Sequence, residues 1–179
     1  MRIITAEQVY ELLGMSACID LMTQTQADLS AGRISIPLRQ AIDAGNNGLL
    51  LMMPGSNPAL KISGVKILTV YPDNPRHTDP PMPAIQGYIM IFDAHNGAPL
   101  AMIDAASVTA VRTAAASAMA TRVLANPQAH SLAILGSGVQ AASHIDAICA
   151  VRDIQTIRVW SRNRDNANAF VARHRDKAD

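Results

Sequence analysis

The sequence predicts an α/β chain in two parts. Residues 1–106 form a β-rich α+β portion, and residues 107–179 form the opening β-α-β-α of a parallel, doubly wound sheet. Three observations carry this. Apolar stretches of strand-like alternation fill most of the first hundred residues. An alanine-rich and almost uncharged run, SVTAVRTAAASAMATRVLA, then changes the texture to helix. After it, an apolar segment passes through a glycine turn into a helical one, and the pattern begins again.

The elements follow in order. MRIIT is a short strand, and Thr5 caps a helix with Gln8 at the capping-box position and Val9, Leu12 and Leu13 on its apolar stripe. A second helix is expected from Ser16 to Ala31, ended by Gly32. GRISIPLRQAI, GLLLMMP and ALKISGVKILTVYP alternate as strands. PDNPRHTDPPMP is a loop by its proline and aspartate content. AIQGYIMIFDAHNGAPLAMID reads as two strands joined through Asn96-Gly97, a hairpin signal. Ser107 is the expected cap of the alanine-rich helix, which ends near Asn126-Pro127. SLAIL, VQAASHIDAICAV, IQTIRVWSRN and DNANAFVARHR then alternate strand and helix.

Composition narrows the function. Hydrophobic residues at 49% and charged residues at 16% argue against disorder. A net charge of +1 offers no field for nucleic acid or an anionic membrane, and aromatics at 3% are too few to stack bases. Cys18 and Cys149 lack CxxC spacing and read as reduced core thiols. No signal peptide or membrane span is visible, so a cytoplasmic location is the expectation. His77, His95, His130, His144 and His174 show no ligand spacing, so no metal is expected. A nucleophile elbow of the G-x-S-x-G kind is missing too.

Gly136-Ser137-Gly138-Val139-Gln140-Ala141 fits the dinucleotide fingerprint G-x-G-x-x-G/A. The first glycine permits a tight turn, the second lets the main chain approach a pyrophosphate, and the helix start faces the phosphates. The motif alone is weak; here it follows a strand and opens a helix. An acidic residue that bonds the adenosine ribose is expected some 20 residues later. Ser161-Arg162-Asn163 stands there instead. An arginine can pair with a 2′-phosphate that a carboxylate would repel, so NADP(H) is expected over NAD(H).

Three cations interrupt apolar segments: Arg39, Lys66 and Arg112, the last beside Thr113. A charge in such a place is costly unless paired or functional. The alternative is solvation, with Arg39 and Lys66 on the wet face of a half-buried strand and Arg112 on a helix surface.

The run VTAVRTAAASAMATRVLA…LAILGSGVQAASHI…IRVWSRN resembles the ornithine cyclodeaminase / mu-crystallin family. Upstream, PLR, LMMPG, GVKILTVYPDNP and IQGYIMIFDAHNGAPLAMID extend the likeness over about Ile34 to Ala172. The resemblance implies a homodimer whose first domain supplies substrate pocket and subunit contact, beside a Rossmann domain. It implies that Arg39 and Arg112 hold a substrate carboxylate and that Lys66 contacts substrate at the reacting carbon–nitrogen bond. It further implies that Arg112, Thr113 and the Gly136–Gln140 turn bind the cofactor, and that Gln86 borders the nicotinamide.

Two activities compete in such a family. A cyclodeaminase takes hydride from an amino acid, closes the ring with loss of ammonia and returns the hydride, holding NAD throughout. A ketimine reductase delivers hydride from NAD(P)H to a cyclic imino acid, 1-pyrroline-2-carboxylate or 1-piperideine-2-carboxylate, giving proline or pipecolate. Cyclodeaminases resemble one another in a glutamate where this chain has Leu51, and in an acidic ribose turn where it has Ser161-Arg162. The reductase is therefore favoured. Ornithine cyclodeaminase, alanine dehydrogenase and a non-catalytic NADPH-binding or dimerisation module are the alternatives. Family members continue through the rest of the nucleotide sheet, whereas this chain ends in the helix after the second Rossmann strand; a truncated product without measurable turnover is the expectation.

Overall fold

The computed structural model describes residues 1–177, and the chain divides into two compact units. The first comprises residues 1–12 and 25–109, the second 13–24 and 110–179. The sequence division at 106/107 falls three residues before the last of the three crossings, at 109/110, and it does not anticipate that residues 13–24 join the later unit.

The first unit is built on a six-stranded sheet in the order β1-β6-β5-β4-β3-β2. Its strands are β1 (Arg2–Ile4), β2 (Gln40–Gly45), β3 (Gly48–Asn57), β4 (Ile62–Val70), β5 (Ile85–Asp93) and β6 (Pro99–Asp104). Neighbours pair antiparallel, except that β1 lies parallel to β6, with Ile3 opposite Met102. Helix α1 (Ala6–Leu12) begins with a reciprocal box: Gln8 N–H donates to Thr5 Oγ1 at 3.4 Å, and Thr5 N–H to Gln8 Oε1 at 3.0 Å. Val9 and Leu68 are buried here.

Several expected boundaries shift. GRISIPLRQAI is not one strand: only an isolated bridge, Ser35 to Ser56, precedes β2. Pro37 has no N–H to give a ladder, which breaks the segment. The 72–83 loop contains one helical turn, α3 (Asn74–His77). The cap of the alanine-rich helix is Asp104 and not Ser107. Asp104 Oδ1 accepts from the Ser107 N–H at 2.7 Å and from its hydroxyl at 2.6 Å, so Ser107 sits inside the first turn. A carboxylate facing bare N–H groups outcompetes a hydroxyl there.

Helix α2 (Met15–Ser30) ends as expected at Gly32, whose φ is +69°. Helix α4 (Ala105–Leu124) carries the alanine run. Both helices cross from one unit to the other in sequence. In the second unit, Cys18 and Ile19 of α2 pack with Ala114, Ala115 and Ala118 of α4 and with Ala147 and Ile148 of α5 (Val139–Cys149). Small side chains let these helices approach closely, which is what the alanine run is for.

Strands β7 (Ser131–Leu135) and β8 (Thr156–Trp160) pair parallel, Ile134 opposite Val159. With α5 and α6 (Arg164–Arg173) they complete the predicted β-α-β-α. Ile134, Ile145 and Phe170 form the core under this sheet. Each such side chain contributes roughly 1.5–3 kcal/mol by leaving water. The fold is thus a β-rich α+β unit followed by the first half of a Rossmann-type unit.

Candidate functional site

At the glycine turn, the main chain leaves β7 at Gly136, where φ is +127°, a value L side chains seldom adopt. The Gly136 N–H donates to the Trp160 carbonyl at 2.8 Å, so the turn is pinned to the end of β8. Gly138 is the N-cap of α5 and has no side chain to offer. A Cβ built on Gly138 would meet no protein atom within 4 Å. The start of α5 therefore has no side-chain cap at Gly138, and the space beside that residue is open. That arrangement suits an anion.

The Ser137 hydroxyl lies 3.1 Å from that of Ser161, just past β8, so the two segments of the fingerprint are brought together. Arg162 is exposed. The Asn163 side-chain oxygen caps α6, accepting from the N–H groups of Asp165 and Asn166. On α4, Thr113 Oγ1 is buried and has no hydrogen-bond partner among the described residues. A buried hydroxyl without a partner is costly and marks a place for a missing acceptor or donor. The open glycine cradle, the uncapped helix start and this orphaned hydroxyl all fit a phosphate-bearing ligand.

Lys66 is half-buried on β4, on the sheet face that also carries its cross-strand partners Met53 and Ile89. Its Nζ donates to Thr109 Oγ1 at 3.2 Å. Thr109 in turn donates to the Ala105 carbonyl at 2.6 Å, which fixes its oxygen as an acceptor for the lysine. A groove of about 260 Å³ beside Lys66 is lined by Ile36, Met53, Ile89 and Ile91. Arg39 is exposed, one residue outside the β2 ladder that starts with Gln40 opposite Met52. Continued by one residue, that ladder would set Arg39 two strand spacings from Lys66, roughly 10 Å. Leu51 pairs with Leu68, on the same face as Lys66. Gln86 pairs with Thr69 and its amide donates to the Pro83 carbonyl.

Arg112 is half-buried in the second unit, where its charge opposes the effect of burial on Cys18; burial is the larger influence and pushes that thiol up. Burial likewise raises the Cys149 thiol.

Three groups escaped the sequence reading. Thr109 is an unremarkable helix threonine until β4 supplies its lysine. Arg152 wraps the end of α4, donating to the carbonyls of Thr121 at 2.7 Å and Ala125 at 2.9 Å. His144 bridges α5 to Ser117 on α4. No residue spacing announces any of them, since each partner lies 27 or more residues away. No cluster of metal-binding side chains occurs among the described residues, and no described helix is long and apolar enough to cross a membrane.

A β-rich unit bearing a held lysine, followed by a strand–glycine turn–helix of dinucleotide-binding type, defines an α/β protein of the nucleotide-binding class. The chain belongs to the ornithine cyclodeaminase/mu-crystallin family, whose model matches residues 1–179, beyond the 34–172 legible from motifs. It is 34% identical over 172 residues to the Delta(1)-pyrroline-2-carboxylate reductase of Bacillus cereus, covering 96% of this chain and 52% of that one. It is 34% identical over 174 residues to the ketimine reductase mu-crystallin of Mus musculus, covering 94% and 55%. Among solved structures, Thermococcus litoralis Delta(1)-pyrroline-2-carboxylate reductase, in complex with NADH and L-proline, superposes with a TM-score of 0.92 at 31% identity. That match covers 99% of this chain and 55% of the other. The chain thus spans about half the length of the relatives it matches.

Proposed function

We propose that this chain provides the substrate-gripping and phosphate-binding portion of an NADP(H)-dependent reductase of cyclic imino acids. The observation that carries it is the pairing of an open glycine cradle with a Ser161-Arg162 turn where a ribose-binding carboxylate would otherwise stand. The relatives named for pyrroline-2-carboxylate and ketimine reduction support the substrate class.

The residues would act as follows. The N–H groups of Val139 and Gln140 would hold the pyrophosphate, joined by the Thr113 hydroxyl, with Arg112 contributing positive charge. Ser137, Ser161 and Arg162 would receive the 2′-phosphate, beside Asn163. A reduced nicotinamide dinucleotide, when bound, supplies hydride to the imine carbon. The family resemblance assigns Arg39 and, on the other unit, Arg112 to the substrate carboxylate as charge-assisted forks, and Gln86 to the border of the nicotinamide. Lys66, oriented by Thr109, would place its ammonium at the imine nitrogen and give it a proton. Ile89 and Met53 offer the ring apolar walls. Leu51 leaves no carboxylate at the position cyclodeaminases resemble one another in, which argues against ornithine as substrate.

A homodimer formed through the first unit suits the sheet. Ile42, Ile67 and Tyr88 are exposed, and register puts them on the sheet face opposite Lys66. A cytoplasmic location accords with the two free cysteines.

The test is a pair of titrations. Trp160, the single tryptophan, is 60% exposed at the end of β8 and reports on the turn. NADPH should change its fluorescence at lower concentration than NADH, and L-proline or L-pipecolate should then bind to the nucleotide-loaded chain. Equal affinities for the two nucleotides would end the NADP(H) assignment, and no response to either would end the nucleotide assignment.

A further inference from the structure

His144 does more than fill space in α5. Its Nδ1 lies 2.7 Å from the Gln140 carbonyl oxygen, and its Nε2 lies 2.9 Å from Ser117 Oγ on α4. A carbonyl only accepts, so Nδ1 carries a proton. In a neutral ring Nε2 is then an acceptor, and the Ser117 hydroxyl donates to it. Ser117 Oγ also lies 3.3 Å from the carbonyl of Thr113, one turn earlier on α4.

One imidazole thereby joins two segments. Gln140 belongs to the glycine fingerprint and to the first turn of α5. Thr113 carries the orphaned buried hydroxyl. The helix itself does not require this ring, because α-helical geometry already gives the Gln140 carbonyl the main-chain N–H four residues on. His174 makes a comparable back-bond, to the Phe170 carbonyl at 2.8 Å, but spends its ring in stacking on Phe170. The His144 ring instead reaches across to a second helix.

We propose that His144, through Ser117, is a positioning residue that fixes the first turn of α5 against the Thr113 turn of α4, so that both present their polar groups to one phosphate chain. This deepens the nucleotide assignment and rests on it. His144 touches no reacting atom in this scheme; it acts through Gln140 and Ser117.

The test compares NADPH dissociation constants, read from Trp160 fluorescence, for the unaltered chain and for His144→Phe, His144→Gln and Ser117→Ala. Amide hydrogen exchange over 139–142 is followed without ligand. Phenylalanine keeps the ring volume and loses both bonds, so affinity should fall about tenfold and exchange of the first turn should quicken. Glutamine reaches Ser117 with its amide and should restore affinity to within about threefold. Ser117→Ala should cost about as much as His144→Phe, and the double variant little more, because the two side chains act as one link. If the unaltered chain binds NADPH and His144→Phe, folded by circular dichroism, binds it equally well, the positioning role is overturned while the nucleotide site stands. If the unaltered chain binds no NADPH, both fall together. A rescue failure in His144→Gln with normal exchange would also overturn it, since volume and not the bridge would then be what mattered.

Discussion

Lys66 and Thr109 meet at 3.2 Å although 43 residues separate them in the chain. Strand pairing explains the meeting. The ladder of Lys66 with Met53 and Ile89 fixes which face the ammonium occupies, and Thr109 Oγ1 is aimed at it because its own proton is committed to the Ala105 carbonyl. A cation that seems misplaced in an apolar segment is in fact oriented.

From this comes the first expectation. Lys66→Met preserves length and apolar contacts but removes the charge. L-Proline binding to the nucleotide-loaded chain should weaken at least about tenfold, as for the loss of a charge-assisted bond, while NADPH affinity stays within about twofold. Calorimetric titration of both ligands checks it; unchanged proline binding would remove Lys66 from the substrate site.

The glycine turn gives a contrast between two similar substitutions. At Gly138 a Cβ meets nothing within 4 Å, and φ is −95°, so Gly138→Ala should fold normally. The methyl group would instead occupy ligand space, and NADPH affinity should drop by more than about tenfold. At Gly136 the φ of +127° makes Gly136→Ala strained, at a cost of about 1–3 kcal/mol. Thermal melts with and without NADPH separate the two effects.

Arg152 should prove a stabilising residue. Its guanidinium donates to the carbonyl of Ala125, more weakly to that of Arg122 at 3.3 Å, and adds a second bond at Thr121, whose carbonyl already accepts from the Ala125 N–H at 3.0 Å, so it covers the C-terminal end of α4. Arg152→Ala should lower unfolding free energy by about 2 kcal/mol, and Arg152→Lys, with a single point charge, should recover only part. Denaturant titration measures both.

Stability should also respond to pH through Cys18. Burial raises this thiol above its ordinary range, so the native state keeps a proton that the unfolded chain loses. Its contribution is complete below the ordinary thiol value, near pH 8.5, and declines as pH climbs beyond it. Melting temperature should therefore fall on the alkaline side, and Cys18→Ala should flatten that slope. A slope identical in the variant would show the thiol to be irrelevant.

Much was legible in residue order because the physics concerned is local. The Thr5–Gln8 box, the Gly32 stop, the strand–glycine turn–helix and the 25-residue interval to Ser161 each depend on near neighbours or on fixed repeat lengths. The family itself could be reached from those motifs. Errors clustered where two local signals competed: Pro37 cut a strand that alternation favoured, and Asp104 displaced Ser107 as cap because a carboxylate suits the helix dipole better.

Tertiary structure alone decided the rest. Alternation left Lys66 free to lie on either face, and only the register with Met53 and Ile89 assigns one. The order of strands, with β1 parallel at the edge, and the bridges from His144 to Ser117 and from Arg152 to the end of α4 all join residues far apart in sequence. Such contacts form only when buried apolar faces have already been matched, and no short stretch of sequence contains that information.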